Sequence, residues 1–181
     1  MKLVYNLENK LFYIQNFLPN HEYKRIHNEI FKQYKKLEYL EEASKSWQKG
    51  LLDNLETPKR VAIHENYFKF YKTLLLHQPF VKIKLLDSKF NFIIHAMKKN
   101  SGVNWHEDGH VKYGITYYLN KRWNKNWGGE FMFTHNGQNG YIPVVGNSLI
   151  IVKTPLQHKV NSVLINHIPR ITIQNFLEKT F

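Results

Sequence analysis

Apolar residues early in the chain recur at helical spacing. Over residues 20–42, NHEYKRIHNEIFKQYKKLEYLEE, Ile26, Ile30, Tyr34, Leu37 and Leu40 fall three or four apart, which places them on one stripe of an amphipathic helix. Asn20 after Pro19 supplies a cap for the first turn. A second helix is predicted over residues 64–78, HENYFKFYKTLLLHQ, stopped by Pro79, because a proline pushes the residue before it out of the helical region. From Phe80 onward the pattern changes to short β-branched and aromatic runs: FVKIKLL, FNFIIHAMK, KYGITYYL, GEFMFTH, GYIPVV, NSLIIVK, HKVNSV and RITIQNFL. Gly, Asn and Pro separate most of them at the spacing of an all-β sandwich or barrel. The expected fold is mostly β with flanking helices (α+β), a double-sheet jelly roll carrying the N-terminal helices on one sheet. One domain is expected over residues 1–181, helical over about 1–79 and jelly roll over about 80–178, with residues 41–60 as a long connection able to act as a flap.

Composition narrows the chemistry. Hydrophobic residues make up 43% and aromatics 15%, with no low-complexity stretch, so the chain should fold. The N-terminal MKLVYNLENKLFYIQNF is broken by Lys2, Glu8 and Lys10 and lacks the apolar region of a signal peptide; no run reaches membrane-spanning length. A cytoplasmic protein without a membrane partner is expected. The absence of cysteine excludes disulfides, thiolate metal ligands and a cysteine nucleophile, so a metal site must use His, Asp and Glu. The net charge of +12 comes from scattered lysines, with only four arginines among the 26 basic residues. A lysine coat of this kind neither requires nor excludes nucleic acid, and it draws in small anions.

The stretch NWHEDGH, residues 104–110, fits two metal patterns. His-Glu-x-x-His would pair His106 with His110 around Glu107, with Glu130 as a third ligand, and needs a helix to stack the two imidazoles. The turn formers upstream, Asp108 and Gly109 inside, and the β-branched run downstream oppose that helix. His-x-Asp pairs His106 with Asp108 and needs extended backbone, where residues two apart point the same way. A third ligand is available in His158 of TPLQHKV, at the start of a late β segment. Two His and one carboxylate on one face of a metal suit a non-haem Fe(II) oxygenase.

WHED, ITYYLNKRWNKNWGGEFMF, PVVGNSLIIVKTPLQHKV and RITIQNF resemble the successive core strands of the Fe(II)- and 2-oxoglutarate-dependent dioxygenases, in the prolyl 4-hydroxylase-like branch. The YYLN…W…GGE segment is similar to prolyl hydroxylases that act on hypoxia-inducible factor. The resemblance covers about residues 90–178. It implies that His106, Asp108 and His158 hold Fe(II), and that Arg170 pairs with the distal carboxylate of 2-oxoglutarate, helped by Thr172 and Tyr118. It further implies dioxygen as co-substrate, ascorbate as an optional reductant, and hydroxylation of an unactivated C–H bond, in a prolyl residue of a peptide or protein. Arg122, Trp123 and Trp127 are candidate substrate contacts. The chain departs from the family pattern twice: Arg170 lies twelve residues beyond His158, where the family usually has nine or ten, and IIHAMKKNSG lacks the tyrosine often found before His-x-Asp. The alternatives are the same chemistry on a small molecule or nucleobase, or a non-catalytic jelly-roll module that binds nucleic acid through its basic surface.

Overall fold

Alternation with period two is realised in a pair of sheets. The computed structural model describes residues 1–36, 41–42, 50–63, 92–109 and 111–178; the predicted helix at 64–78 and the predicted strand at 80–86 lie outside these residues. The described elements are β1 (Lys2–Leu7), β2 (Leu11–Gln15), α1 (Asn20–Lys36), β3 (Glu41–Glu42), β4 (Lys59–Ile63), β5 (Phe92–Met97), β6 (Val103–His106), β7 (Val111–Tyr118), β8 (Phe131–His135), β9 (Gln138–Ile142), β10 (Ser148–Lys153), β11 (His158–Val160) and β12 (Arg170–Glu178). An antiparallel sheet in the order β1-β2-β10-β7-β12-β5-β4-β3 faces a smaller one in the order β6-β11-β8-β9. This is the expected jelly roll.

Because side chains alternate along each strand, the large sheet has two buried faces. Phe12, Ile14, Tyr117, Leu149 and Ile171 point outward and pack with Tyr23, Ile26 and Ile30 of α1. Their neighbours Tyr13, Tyr118 and Ile150 point inward and pack with Phe131 and Phe133 of the small sheet. Tyr23 also ties the helix to the sheet by donating its hydroxyl proton to the Leu119 carbonyl, 3.0 Å away. No helix among the described residues is long and apolar enough to cross a membrane.

The first third of the chain departs from expectation. Among the described residues the first part is not wholly helical: β1 and β2 make a hairpin whose second strand pairs with β10, and Lys59–Ile63 adds β4 beside β5. The hairpin turn passes through Glu8 and Asn9 with φ of 45° and 60°, and Asn6 accepts the Asn9 amide proton on its side chain at 3.0 Å. Asparagine tolerates this left-handed backbone, so NLENK is a turn signal between two apolar runs. The predicted helix over 20–42 is confined to Asn20–Lys36 in the described residues, and Glu41–Glu42 pairs with Lys59 and Arg60 as a strand. The described part of the expected flap is a fixed wall. Asn104 donates to the carbonyls of Gly50 and Asp53, and the Glu56 amide donates to Asn100.

Candidate metal centre

His106 ends β6, and the chain then doubles back within three residues. The amide of Gly109 donates to the Glu107 carbonyl and that of Val111 to the Asp108 carbonyl. This tight turn replaces the helix that His-Glu-x-x-His would need and swings Asp108 back beside His106. Glu107, between them, is solvent-exposed at the rim, and Glu130 accepts a hydrogen bond from Asn161, away from the metal ligands. His110 lies outside the described residues.

His158 enters from β11, which pairs His158 directly with His106. Ligating atoms of His106, Asp108 and His158 all lie within 4.8 Å of one another. One Asp108 oxygen is 3.7 Å from His106 Nε2 and the other 3.6 Å from His158 Nε2. Each imidazole is oriented by its other nitrogen: His106 Nδ1 donates to the Asn104 carbonyl at 2.7 Å and His158 Nδ1 to the Leu156 carbonyl at 2.8 Å. A carbonyl can only accept, so both Nδ1 atoms carry the proton and both Nε2 lone pairs face inward, as a metal requires. Burial, and after it the neighbouring His106, lower the pKa of His158, which keeps that imidazole in the neutral, ligating form.

Gly114 of β7 backs this centre. A Cβ there would sit 2.7 Å from Asp108 Oδ2, so even alanine would displace the carboxylate. The glycine backbone has no left-handed φ, and alanine fits that conformation, with a reduction of unfolded-state entropy that favours the fold by about 0.4–1 kcal/mol. Gly114→Ala should therefore weaken metal binding by about tenfold or more while the unfolding midpoint stays put or rises; metal titration beside thermal denaturation measures both. Equal metal affinity in the variant would show that Asp108 has slack.

Beside the triad lies a cavity of about 240 Å³, walled by Val160 and Phe131 on the small sheet and by Thr116, Gln174 and Phe176 on the large one. Four residues before Gln174 on the same strand, two repeats of its alternation, stands Arg170, with no exposed surface. Its guanidinium receives one oxygen partner, the Tyr118 hydroxyl at 3.2 Å, lies 4.9 Å from the Tyr118 ring centroid, and otherwise touches the Met97 sulfur. Burial raises the pKa of Tyr118, and Arg170 opposes that shift; the phenol stays protonated and able to donate. Arg170 Nε and Thr172 Oγ1 are buried with no hydrogen-bond partner, and among the described residues no carboxylate pairs with Arg170. The cation–π contact and one hydrogen bond to a neutral hydroxyl are worth roughly 2–4 kcal/mol together, against several kcal/mol for desolvating a guanidinium. The balance calls for an anion.

Thr172 is level with Tyr118 on one side and with His95 on the other, and Arg170 reaches the Tyr118 hydroxyl. His95 joins them, unforeseen: its neighbours Ile94 and Ala96 pack on the helix side, so the alternation in FNFIIHAMK puts it on the inner face. Burial first, then the charges of Arg170 and Arg60, push its pKa down to about 3. The unfolded chain takes up this proton near pH 6.5, so His95 contributes its full stability above that pH. Between pH 6.5 and about 3 it should remove about 1.4 kcal/mol per pH unit. Urea unfolding over that range, metal absent, should be flatter for His95→Phe by that slope; identical slopes would mean that the imidazole is not held neutral.

The loop 120–128 stands elsewhere. Trp123 donates its indole proton to the Gly128 carbonyl at 2.8 Å and packs between two apolar clusters. Trp127 stacks edge-on against Trp123 and His167, and Arg122 is exposed. None of the three lines the cavity. The glycines that follow are there for fit: Gly129, at φ 78°, passes so close to Arg170 that a Cβ would lie 2.8 Å from its Cδ. The extra residues between His158 and Arg170 are taken up by a bend at 166–168, after Val163 bridges both Lys99 and Gly128.

A family profile for the 2OG-Fe(II) oxygenase superfamily matches residues 92–178, the stretch that carries His106, Asp108, His158 and Arg170. Residues 92–178 belong to the 2OG-Fe(II) oxygenase superfamily. The superfamily is that of 2-oxoglutarate-dependent oxygenases, which take Fe(II), 2-oxoglutarate and dioxygen as cofactor and co-substrates. The residues fit them: two imidazoles and a carboxylate suit Fe(II) with open positions, and the unmatched Arg170 Nε and Thr172 Oγ1 suit a carboxylate. Similar solved structures include a Pseudomonas putida prolyl-4-hydroxylase, with TM-score 0.74 and 15% identity over 94% of this chain and 93% of that one. A Trichoplax adhaerens prolyl hydroxylase, in complex with a hypoxia-inducible factor peptide fragment, gives 0.74 and 14% over 94% and 84%. The α-ketoglutarate-dependent epimerase SnoN of nogalamycin biosynthesis gives 0.63 and 11% over 94% and 79%. No curated protein sequence matches the chain.

Proposed function

We propose that this oxygenase hydroxylates an unactivated C–H bond of a prolyl residue in a peptide or protein. The observation that carries the reading is a buried guanidinium without a carboxylate partner among the described residues, next to a cavity that opens on His106, Asp108 and His158. His106, Asp108 and His158 would hold the iron on one face. Arg170, with Tyr118 and Thr172, would take the distal carboxylate of 2-oxoglutarate in a planar fork that lysine cannot offer. When bound, the iron and 2-oxoglutarate supply the oxidising chemistry, in which dioxygen converts 2-oxoglutarate to succinate and carbon dioxide and one oxygen atom enters the substrate. The protein's part is to fix these groups and exclude water: Phe131, Val152 and Val160 line the cavity with apolar surface.

The prolyl substrate is supported by the two prolyl hydroxylases of similar fold. A small-molecule substrate is the second reading, supported by the fold of SnoN and by the modest cavity, since fold does not choose the substrate. A nucleic-acid-binding module that has lost catalysis has no use for a buried Arg170. Anaerobic titration with Fe(II) and 2-oxoglutarate should produce a weak metal-to-ligand charge-transfer band in the visible, and once air is admitted proline-containing peptides should raise succinate formation. No band at all would defeat the oxygenase reading of these residues. Stimulation by a nucleobase or a free metabolite, and by no peptide, would defeat the prolyl one.

A further inference from the structure

The outer face of the small sheet carries a row of exposed side chains with an aromatic ring at each end. Between Val103 and His106, β6 takes three residue steps where β11 takes two. A bulge of this kind re-aims a side chain. Val103 and His106 both line the cavity, while Trp105 is turned out, 42% exposed, with Lys159 Nζ 5.5 Å from its ring centroid. Lys159 of β11 is level with Met132 of β8, and Met132 with Tyr141 of β9. Their neighbours His158, Phe131 and Ile142 are buried between the sheets, so alternation sends Lys159, Met132 and Tyr141 outward. Tyr141 is 67% exposed.

The row crosses all four strands, with the half-buried Met132 and Lys159 between the two rings. Three strand spacings of ~4.8 Å set the rings ~14 Å apart, a distance that a polyproline II segment, rising ~3.1 Å per residue, covers in about five residues. The row also adjoins the cavity. Glu107 lines the cavity and is exposed at its rim, and Trp105 lies two residues before it, within ~7 Å along the chain. A peptide with one residue at the metal leaves the cavity beside this row.

The chemistry of the row selects among occupants. Trp105 offers an indole N–H, Tyr141 a phenol O–H and Lys159 an ammonium group, so all three can donate. A proline-rich segment is their complement. Its carbonyls have no internal hydrogen bonds, its prolines bring no N–H to satisfy, and its rings pack on aromatic side chains. A nucleic-acid strand also brings acceptors and stacking rings, but Glu107 puts a carboxylate at the same end of the row as Lys159, which favours a neutral chain over a phosphate backbone.

Resting on the prolyl reading above, we propose that the row from Trp105 to Tyr141 docks the part of the substrate that flanks the oxidised residue, and that this part is an uncharged, proline-rich segment in polyproline II form. The substrate class is then a protein or peptide in which the oxidised proline stands among further prolines. Trp105 and Tyr141 are on this account specificity residues outside the metal site.

The test uses the whole chain in two arms. In the first, without metal, a capped oligoproline of about ten residues is titrated beside a Gly/Ser peptide of equal length and a thymidine oligonucleotide. Oligoproline should bind at least about tenfold more tightly than the flexible Gly/Ser peptide. Trp105→Ser and Tyr141→Ser should each weaken it about five- to thirtyfold, with unfolding midpoints close to wild type. In the second arm, with Fe(II), 2-oxoglutarate and air, Tyr141→Ser should raise the KM of a proline-rich peptide by a similar factor and leave its kcat, and the KM of a short single-proline peptide, unchanged. The inference is overturned if the Gly/Ser peptide or the oligonucleotide binds as well as oligoproline, or if neither substitution changes oligoproline binding. It is equally overturned if Tyr141→Ser dissociates a dimer of the chain, or shifts the KM of both peptides alike. A wild-type chain without the charge-transfer band fails the oxygenase reading itself, a separate result on which the metal-free arm does not depend.

Discussion

His158→Ala should abolish the iron centre while leaving the sheets in place. The side chain supplies one of three ligating atoms and is one of two held by a backbone carbonyl. Its loss should lower iron affinity by more than about a hundredfold, the upper end of what losing an outer-shell partner costs. The charge-transfer band and succinate formation should both disappear, and far-UV circular dichroism should not change. Glu107→Gln is the matching control. In a zinc peptidase Glu107 would be the catalytic base, and the variant would be dead; here Glu107 is an exposed neighbour of two ligands, and the band should persist. A band that survives in His158→Ala, or vanishes in Glu107→Gln, contradicts the ligand set.

Arg170→Met should separate binding from stability. With its guanidinium gone, the variant has no cation for the distal carboxylate, and 2-oxoglutarate affinity should fall by about a hundredfold or more, since a charged hydrogen-bonded pair is worth roughly 2–5 kcal/mol when one member is removed. The apo protein has the opposite interest. Arg170 is fully buried without a carboxylate partner among the described residues, and replacing such a charge by an apolar chain of similar length is often neutral or stabilising. The unfolding midpoint without cosubstrate should hold or rise, and the stabilisation that 2-oxoglutarate confers on wild type should be absent. An apo protein several degrees less stable would mean that Arg170 serves the fold first.

Most of the core and the whole triad were legible because they rest on short-range rules. The runs around β5, β7, β8, β10 and β12 are short, β-branched and aromatic and bounded by turn formers, and His106 and Asp108 sit two apart beside a turn, so local geometry alone puts both candidate ligands on one side. His158 was reachable because it opens a strand. What stayed hidden depends on partners distant in sequence. MKLVYNL and LFYIQ read as an interrupted apolar segment until β10 is there to pair with Leu11–Gln15. Arg60 belongs to a short run, KRVAI, in a stretch of turn formers, and only the register of β4 on β5 shows which way it points. Trp123 and Trp127 sit in a loop that sequence places near the metal, yet the path through Gly128 and Gly129 lays them against Val163 and His167 instead. His95 could have been found by counting alternate positions in FNFIIHAMK.

The pairing of β2 with β10 also governs how the molecule can be assembled. Leu18 donates its amide proton to Asn147, 129 residues later, and Asn147 returns a bond to the Leu18 carbonyl. A chain emerging from the ribosome must therefore hold its first apolar segment unpaired until about residue 153 has been made, a long loop closure of the kind that slows folding. A fragment cut at the limits of the recognisable oxygenase stretch would begin with that edge of β10 bare. The catalytic signature and the cooperative folding unit do not share a boundary.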